Sequence, residues 1–331
     1  MFGPVRRLVA VLSVLLSLTA VAGCGLFGSD DGASSIADRP ERARVRLGTL
    51  PIVDVAPVHI ALQKGYFKAE GLDVELTGLQ GGAAGIPLLS TGELDFSFGN
   101  YVSFIAAQTK GDAKLKLVAD GFQAGPQTFV VVAPGDSSIT EPADLAGRTV
   151  AVNSLGNVVE LVTRSVLKAN DIDPNKVTFR QMPFPEMQAA LKSKQIDAAI
   201  MVEPFITGAE RQIGAMPVLD AAAGPTATMP IAGYAVTEDF AAKNPKTVAA
   251  FRRALARAVQ DATDRVEVET ALTSYAKIDA DTARLVRLGT YQTNIEFGRL
   301  ARVVGLMVDN GLLTRTVDVS GMILPRTPGN S

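Results

Sequence analysis

The segment that decides the fold spans residues 56–75 and reads APVHIALQKGYFKAEGLDVE. Pro57 suits the first turn of a helix, and Gly65 suits the cap at the end of that helix. After the glycine, residues 72–76 alternate apolar and acidic side chains, as a half-exposed strand does. Residues 45–49 upstream form another short strand candidate. A strand, a helix and a strand in this order predict an α/β architecture.

The rest of the chain indicates two lobes of similar topology, since nearly 290 residues follow position 44 and that is at the upper limit for one hydrophobic core. The sequence LSTGELD that begins at Leu89 aligns with LKSKQID that begins at Leu191. Each predicts the end of a helix, a polar turn and a strand that opens with an apolar residue and an aspartate. We expect lobe I to comprise residues 44–132 and 233–331, and lobe II to comprise residues 133–232.

The first 43 residues differ in composition from the body. A pair of arginines precedes an uncharged apolar run that is too short to span a bilayer. Residues 21–24 (VAGC) resemble the bacterial lipobox, whose cysteine becomes the lipid-modified first residue after cleavage. We expect a lipoprotein signal peptide at residues 1–23, lipidation of Cys24 and a flexible tether over residues 24–43. The expected location is the extracytoplasmic face of a bacterial membrane; an ordinary signal peptide with an incidental cysteine is the alternative.

The composition excludes several kinds of site. Cys24 is the only cysteine and His59 the only histidine among 331 residues. The body therefore offers no disulfide, cysteine nucleophile or Cys-metal site, and one histidine is too few for a multi-histidine metal site or a His-based triad. We expect no metal and no cofactor. The formal net charge of −2 gives no electrostatic reason to expect nucleic acid as a partner, and we expect a monomer.

A family resemblance rests on several motifs that occur in order along residues 44–325. They are residues 56–75, STGELDF (90–96), DLAGRTVAV (144–152), QIDAA (195–199) and EPF (203–205). With these motifs the chain resembles the nitrate/sulfonate/taurine substrate-binding proteins, which include binders of thiamine-pyrimidine precursors. The resemblance implies a type II periplasmic-binding fold: two α/β lobes with a ligand cleft between them. It also implies delivery of a small-molecule solute to the permease and ATPase of an ABC importer.

The ligands of open α/β sheets lie beyond the carboxyl ends of strands, and this rule selects loops in both lobes. Residues 153–157 (NSLGN) follow a strand and open a helix, so their amides and the Ser154 hydroxyl could hold an anionic or carbonyl group. A plain N-cap is the alternative reading of this loop. Residues 80–82 (QGG) offer a similar nest of amides on the facing lobe.

Carboxylates and aromatic rings complete the predicted site. Asp54 and Glu203 are candidate anchors for N–H or O–H groups, but Glu203 precedes a proline and could instead brace the hinge. Three aromatic side chains near strand ends could stack on a ligand ring or belong to the core. The candidate ligand-binding residues are Thr49, Asp54, Gln80, Gly81, Gly82, Asn100, Tyr101, Phe122, Asn153, Ser154, Gly156, Asn157, Glu203, Phe205 and Met229.

The predicted loops favour an organic solute. They contain no Arg or Lys, and two nearby carboxylates make a small bare anion less attractive. We expect either a sulfonate or a heterocycle such as a pyrimidine-type vitamin precursor; an inorganic oxyanion such as nitrate or sulfate, which neutral amides alone can bind, is the alternative. One alternative is a lipoprotein that senses or stores a ligand without a permease. Another is an enzyme similar to the eukaryotic branch of this fold that makes the thiamine pyrimidine; its cysteine-rich motif has no counterpart here, and we expect no catalytic residues.

Overall fold

The computed structural model describes residues 39–325. The predicted signal peptide, Cys24 and most of the predicted tether lie outside these residues. From Pro40 onward, the described residues form one compact unit. Every helix between residues 39 and 325 is too short or too polar to cross a membrane.

The end of the predicted tether is part of the folded body. The Glu41 carboxylate accepts hydrogen bonds from the backbone N–H groups of Lys246 (3.0 Å) and Thr247 (2.8 Å). The next side chain, Arg42, pairs with the buried carboxylate of Asp95. Because these contacts fix residues 41 and 42, the prediction of a flexible segment through residue 43 is wrong at its end.

Strands and helices alternate along most of the described chain, as the opening segment predicts. The strands are β1 (Arg44–Thr49), β2 (Asp73–Gly78), β3 (Phe96–Asn100), β4 (Leu115–Gln123), β5 (Phe129–Ala133), β6 (Thr149–Val152), β7 (Thr178–Gln181), β8 (Ala198–Val202), β9 (Met216–Asp220), β10 (Pro230–Thr237) and β11 (Thr290–Tyr291). The α-helices are α1 (Ala56–Gln63), α2 (Tyr66–Ala69), α3 (Gly85–Thr91), α4 (Tyr101–Lys110), α5 (Val158–Ala169), α6 (Phe184–Lys192), α7 (Phe205–Ile213), α8 (Glu238–Lys243), α9 (Pro245–Asp261), α10 (Arg265–Tyr275), α11 (Ala280–Leu285) and α12 (Phe297–Asp309).

The strands form two sheets whose topology matches, apart from β11, which is added at one edge of the first sheet. The first sheet has the order β11-β4-β10-β3-β1-β2, and the second has the order β7-β6-β8-β5-β9. In the first sheet β1 lies parallel to β2 and β3, whereas β10 runs antiparallel to β3 and β4. In the second sheet β6 lies parallel to β7 and β8, whereas β5 runs antiparallel to β8 and β9. The α/β fold class is confirmed.

Two aspartates explain the internal sequence match. Asp95 accepts a hydrogen bond from the backbone N–H of Arg46 (2.8 Å) at the start of β1. Asp197 accepts one from the backbone N–H of Thr149 (2.8 Å) at the start of β6. Each aspartate thus joins the strand it precedes to the neighbouring parallel strand. The aligned residues carry out the same structural task in both sheets.

The sheets differ from the predicted lobe boundaries by a few residues. β5 pairs with β8 and β9 in the second sheet, so the chain has already left the first sheet before Phe129 rather than after residue 132. β10 returns to the first sheet at Pro230 rather than at residue 233. Both predicted boundaries fall inside apolar strands because a strand's composition does not reveal which sheet it joins.

Aromatic packing fixes the helices on the first sheet. Phe96 of β3 stacks on Phe251 of α9 with ring centroids 4.2 Å apart, and Phe67 of α2 lies 5.4 Å from the same ring. All three side chains are buried, which contributes about 2 kcal/mol each to the free energy of folding. Gly65 ends α1 with φ of 71°, a left-handed conformation that favours glycine, as the cap prediction requires.

Candidate functional site

A cavity lies where the carboxyl ends of β3 and β6 meet, between the two sheets. Its lining residues are Leu50, Ile52, Asp54, Gly82, Phe98, Asn100, Phe129, Asn153, Asn157, Val158, Val159, Phe184, Val202, Ile231 and Ala232. The cavity volume is about 30 Å³, which is room for roughly two water molecules. Pockets for small organic ligands occupy roughly 300 Å³ or more. Entry of such a ligand therefore requires the two sheet edges to move apart.

Asp54 supplies the charge in this cavity. It lies in a short 3₁₀ turn (Val53–Val55) between β1 and α1, and its side chain is 3 % exposed. Its Oδ1 atom has no hydrogen-bond partner. Burial raises the pKa of the Asp54 carboxyl to about 7, because the low-dielectric surroundings disfavour the ionised form. A buried acceptor without a partner is costly in a folded protein, so this carboxyl is suited to receive a donor from a ligand.

Three asparagines line the cavity, and two of them, Asn100 and Asn153, supply hydrogen-bond donors, one from each sheet. Asn100 caps α4 by accepting from the Ser103 N–H (2.8 Å), and Asn157 caps α5 by accepting from the Val159 N–H (3.1 Å). The Asn157 amide in turn donates to Asn153 Oδ1 (2.8 Å). Because Oδ1 of Asn100 and of Asn153 is used inside the protein, their Nδ2 groups are the parts suited to a ligand acceptor. The loop 153–157 is thus both an N-cap and a wall of the cavity.

Glycines allow close backbone approach in the cavity wall. A Cβ on Gly82 would lie 2.9 Å from the Gly99 Cα, so the backbone approach there requires glycine. A Cβ on Gly81 would lie 3.6 Å from Nδ2 of Asn153, which follows β6 of the second sheet. Of the predicted glycine nest, Gly82 therefore lines the cavity, and Gly81 lies beside it.

Aromatic rings from both sheets form the apolar walls. Phe98 comes from β3, whereas Phe129 and Phe184 come from the start of β5 and of α6. Phe205 stacks behind Phe184 with ring centroids 5.6 Å apart and does not line the cavity itself. These walls are suited to the faces of a flat ring, which aromatic side chains contact favourably.

Several predicted ligand residues belong to the core instead. The Tyr101 hydroxyl donates to the buried Asp120 (2.6 Å), and Phe122 packs edge-to-face on Tyr291 at 5.6 Å. Thr49 and Met229 are also buried away from the cavity. A residue near a strand end can thus be buried without contacting the cavity.

Glu203 is the clearest correction. Its side chain is fully buried, and its oxygens accept from Thr207 (Oγ1, 2.9 Å; N–H, 3.1 Å) and from the backbone and guanidinium of Arg287 (3.1 and 3.2 Å). Burial raises the pKa of Glu203, while Thr207 and Arg287 oppose that rise. Glu203 therefore braces the junction of the sheets, which is the alternative role that the following proline indicates, and the prediction of a ligand anchor is wrong.

The remaining predicted residues lie at the rim or outside. Gln80 and Gly156 are exposed, and Ser154 is half-buried. The Gly156 N–H donates to Glu160 Oε2 (2.8 Å), so this amide is used inside the loop. Five of the predicted residues line the cavity: Asp54, Gly82, Asn100, Asn153 and Asn157.

The apolar lining was missed for two structural reasons. Phe129 and Ile231 stand at the amino ends of antiparallel strands, which share an edge with the carboxyl ends of the parallel strands. Phe184 follows β7, a four-residue edge strand with one apolar side chain, too short to show a period of two. Applying the strand-end rule to antiparallel neighbours would have found the first two.

Among residues 39–325, no group of three or more His, Cys, Asp or Glu side chains is arranged to hold a metal ion. His59 stacks face-to-face on Tyr275 at 3.7 Å, and burial lowers its pKa to about 4. The histidine is therefore a neutral packing residue.

The chain is similar to several curated proteins that are named as binding proteins. It is 25 % identical over 219 residues to a putative ABC transporter periplasmic binding protein of Brachyspira hyodysenteriae, covering 62 % of this chain and 60 % of that protein. It is 25 % identical over 187 residues to the nitrate/nitrite binding protein NrtA of Nostoc sp. (51 % and 42 % covered). It is 27 % identical over 191 residues to a formylaminopyrimidine-binding protein of Halalkalibacterium halodurans (57 % and 54 % covered). The chain spans about half the length of these relatives, none of which is named as an enzyme.

Solved structures and a family model agree with the fold. The alkanesulfonate-binding protein SsuA of Xanthomonas axonopodis pv. citri, bound to MOPS, matches with a TM-score of 0.75 at 16 % identity, covering 86 % of this chain and 99 % of that one. The predicted periplasmic-binding fold is therefore confirmed. The family model described as NMT1/THI5 like matches residues 52–267, which is more than half of the chain. The chain belongs to the NMT1/THI5-like family.

Proposed function

We propose that this protein is an extracytoplasmic solute-binding protein that captures a small organic solute between its two sheets and delivers it to an ABC importer. The observation that carries the proposal is the buried Asp54 carboxyl, which faces a cavity built from both sheets and has an oxygen without a partner. A solute that contacts both sheets favours their closed arrangement, and a permease can recognise that arrangement. The names of the relatives support this role.

The cavity favours a flat solute that carries N–H donors, such as an aminopyrimidine. Asp54 can accept from such a group, the Nδ2 groups of Asn100 and Asn153 can donate to ring acceptors, and Phe98 and Phe184 can cover the ring faces. The described lining contains no Arg or Lys that would neutralise an anion. A pyrimidine-type vitamin precursor is therefore our first candidate, consistent with the relative named for formylaminopyrimidine.

A sulfonate is the second candidate, because α4 and α5 both direct their N-termini toward the cavity. The capping residues of these helices, Asn100 and Asn157, line it. The partial positive charge of helix N-termini stabilises anionic groups. A sulfonate would require Asp54 to be protonated, because the ionised carboxylate would repel it. The two candidates therefore predict opposite pH dependence: aminopyrimidine binding strengthens as the pH rises through about 7, and sulfonate binding weakens.

Ligand-dependent thermal stabilisation tests the function. We expect the thiamine pyrimidine or its formylamino derivative to raise the melting temperature, since a ligand at about 100 times its Kd adds about 2.7 kcal/mol to the free energy of unfolding. Taurine, MOPS and nitrate serve as comparison ligands in the same scan. No shift with any member of the panel would contradict the proposed solute classes. Stabilisation by taurine or MOPS alone would support the second candidate.

We also propose that Cys24 carries a lipid that anchors the protein to the membrane. The motif VAGC at residues 21–24 supports this proposal. We expect Cys24→Ser to leave the body folded but to move the protein from the membrane fraction to the soluble fraction in the native host, because the thioether linkage to lipid needs the sulfur. Labelling with radioactive palmitate provides the direct measurement. Retention of the variant in the membrane fraction would refute the anchor.

The sensing or storage role remains the alternative to import. Solute uptake by a strain that lacks the candidate permease distinguishes them, because an importer component loses its effect on uptake when the permease is missing. A sensor would keep its effect on the cell's response to the solute.

A further inference from the structure

Two tyrosines from the C-terminal part of the chain hold the loop that carries Asp54. The hydroxyl of Tyr275, at the end of α10, donates to the carbonyl of Ile52 (2.8 Å). The hydroxyl of Tyr291, in β11, donates to the carbonyl of Val53 (2.9 Å). Both hydrogen bonds connect residues more than 200 positions apart in sequence, and both end on the two residues that precede Asp54.

The tyrosine rings are themselves fixed by packing. Tyr275 stacks on His59 of α1 with an interplanar angle of 4°. Tyr291 packs edge-to-face on Phe122 of β4, with which it is also paired in the sheet. The hydroxyls therefore have little freedom to leave the Ile52 and Val53 carbonyls.

The residue that follows β8 in the second sheet also holds this loop. The Val53 N–H donates to the backbone carbonyl of Glu203, at a distance of 3.0 Å. Three polar groups of the Ile52–Val53 segment thus have partners from distant parts of the chain. We call Tyr275, Tyr291 and their two hydrogen bonds the tyrosine clamp.

The clamp opposes a strong tendency of Asp54 to turn toward water. A buried carboxyl with an unpartnered oxygen gains free energy by hydration, so its loop would move outward if nothing held it. The groups that interact electrostatically with Asp54 are Tyr234, Tyr275 and Tyr291, all neutral phenols; Arg265 acts on Tyr291, and the stacked His59 is neutral above about pH 4. None of these groups offers Asp54 Oδ1 a hydrogen bond.

We infer that Tyr275 and Tyr291 are positioning residues for ligand binding, since they hold the Asp54 carboxyl inside the cavity through the Ile52 and Val53 carbonyls. This inference rests on the proposed function in taking the cavity as the ligand site. Both tyrosines lie beyond residue 267, where the match to the family model ends. Residues outside that match therefore contribute to ligand affinity.

The first test needs no ligand. Tyr275→Phe and Tyr291→Phe keep the rings and their packing and remove only the hydroxyls. In each variant we measure how much Asp54→Asn changes the melting temperature at about pH 5 and about pH 8. With the clamp intact this change depends strongly on pH, because Asp54 is held in a dry site. When a clamp hydroxyl is removed, the loop relaxes toward water. We then expect the difference between the effects of Asp54→Asn on the melting temperature at the two pH values to fall by about half or more.

Tyr66→Phe is the matched control. Its hydroxyl donates to Asp261 (2.6 Å), so the variant loses a similar hydrogen bond without removing a contact of the Ile52–Val53 segment. We expect it to leave the pH-dependent effect of Asp54→Asn unchanged. If both clamp variants behave like Tyr66→Phe, the positioning role is overturned.

The second test uses the thiamine pyrimidine as the probe. We expect each clamp variant to bind it about fivefold to tenfold more weakly than the wild type in a calorimetric titration, as the loss of one hydrogen bond implies, with the Tyr66→Phe affinity unchanged. Unchanged affinity in both clamp variants would overturn the inference. If the wild type binds no member of the ligand panel, the proposed function fails, and the ligand-free test still decides the clamp.

Discussion

Asp54→Asn should make the protein more stable at alkaline pH, although it should weaken ligand binding. The folded-state pKa of about 7 lies above the ordinary value of 3.8, so the folded protein holds a proton that the unfolded chain has released between these values. The free energy of unfolding therefore falls as the pH rises through this window. Each pKa unit corresponds to 1.36 kcal/mol, and we expect the variant to gain about 3 kcal/mol relative to the wild type between about pH 4.5 and about pH 8.

Urea unfolding at both pH values measures this gain. Asp73→Asn is the control, because Asp73 is an exposed carboxylate at the start of β2. The difference in the free energy of unfolding between Asp54→Asn and the wild type reports on the Asp54 carboxyl alone. Other buried acids, such as Asp120, whose pKa is also raised by burial, contribute equally to both proteins. A gain that does not change with pH would mean that Asp54 is hydrated, and the description of the cavity would be wrong.

Arg287→Met should destabilise the protein by about 3 kcal/mol, because it leaves the fully buried Glu203 without its cation. The same guanidinium binds both carboxylate oxygens of Glu210 (2.9 Å each), so one substitution removes the centre of a three-residue network. The loss should be smaller at low pH, since protonation of Glu203 removes the uncompensated charge. Adding Glu203→Gln to Arg287→Met should recover part of the lost stability.

Arg284→Met provides the comparison for this network. Arg284 pairs with Asp281 on the surface at 2.8 Å, and both side chains are well exposed. Exposed pairs contribute at most about 1 kcal/mol, so this variant should unfold almost as the wild type does. Equal losses for Arg284→Met and Arg287→Met would contradict the bracing role of Glu203.

The fold was largely predictable from the sequence because its signals are local. Pro57 and Gly65 mark the ends of α1, and the aligned Asp95 and Asp197 mark equivalent strands in two sheets. Such signals need only a few neighbouring residues. The sheet membership of β5 and β10 was not predictable in this way, because both strands are mostly apolar and pair with strands far away in sequence.

The polar part of the site was more predictable than the apolar part. Asp54 and Asn153 follow strands and Asn100 ends one, at the edge where the topology brings side chains of both sheets together. Glu203 follows a strand as well, but it pairs inside the protein with Arg287, which is 84 positions away in sequence. The tyrosine clamp depends on the same kind of distant contact. Local patterns do not reveal which partner a buried polar group will find.

The most direct test of the central claim is the affinity of Asp54→Asn for the thiamine pyrimidine, compared with that of the wild type by calorimetry at about pH 8. Asp54 is then mostly ionised and accepts from the ligand's N–H groups. We predict a loss of roughly tenfold or more, since a hydrogen bond to a charged group contributes about 1.5–3 kcal/mol. Equal or tighter pyrimidine binding by the variant would contradict the assignment of Asp54 as the ligand anchor.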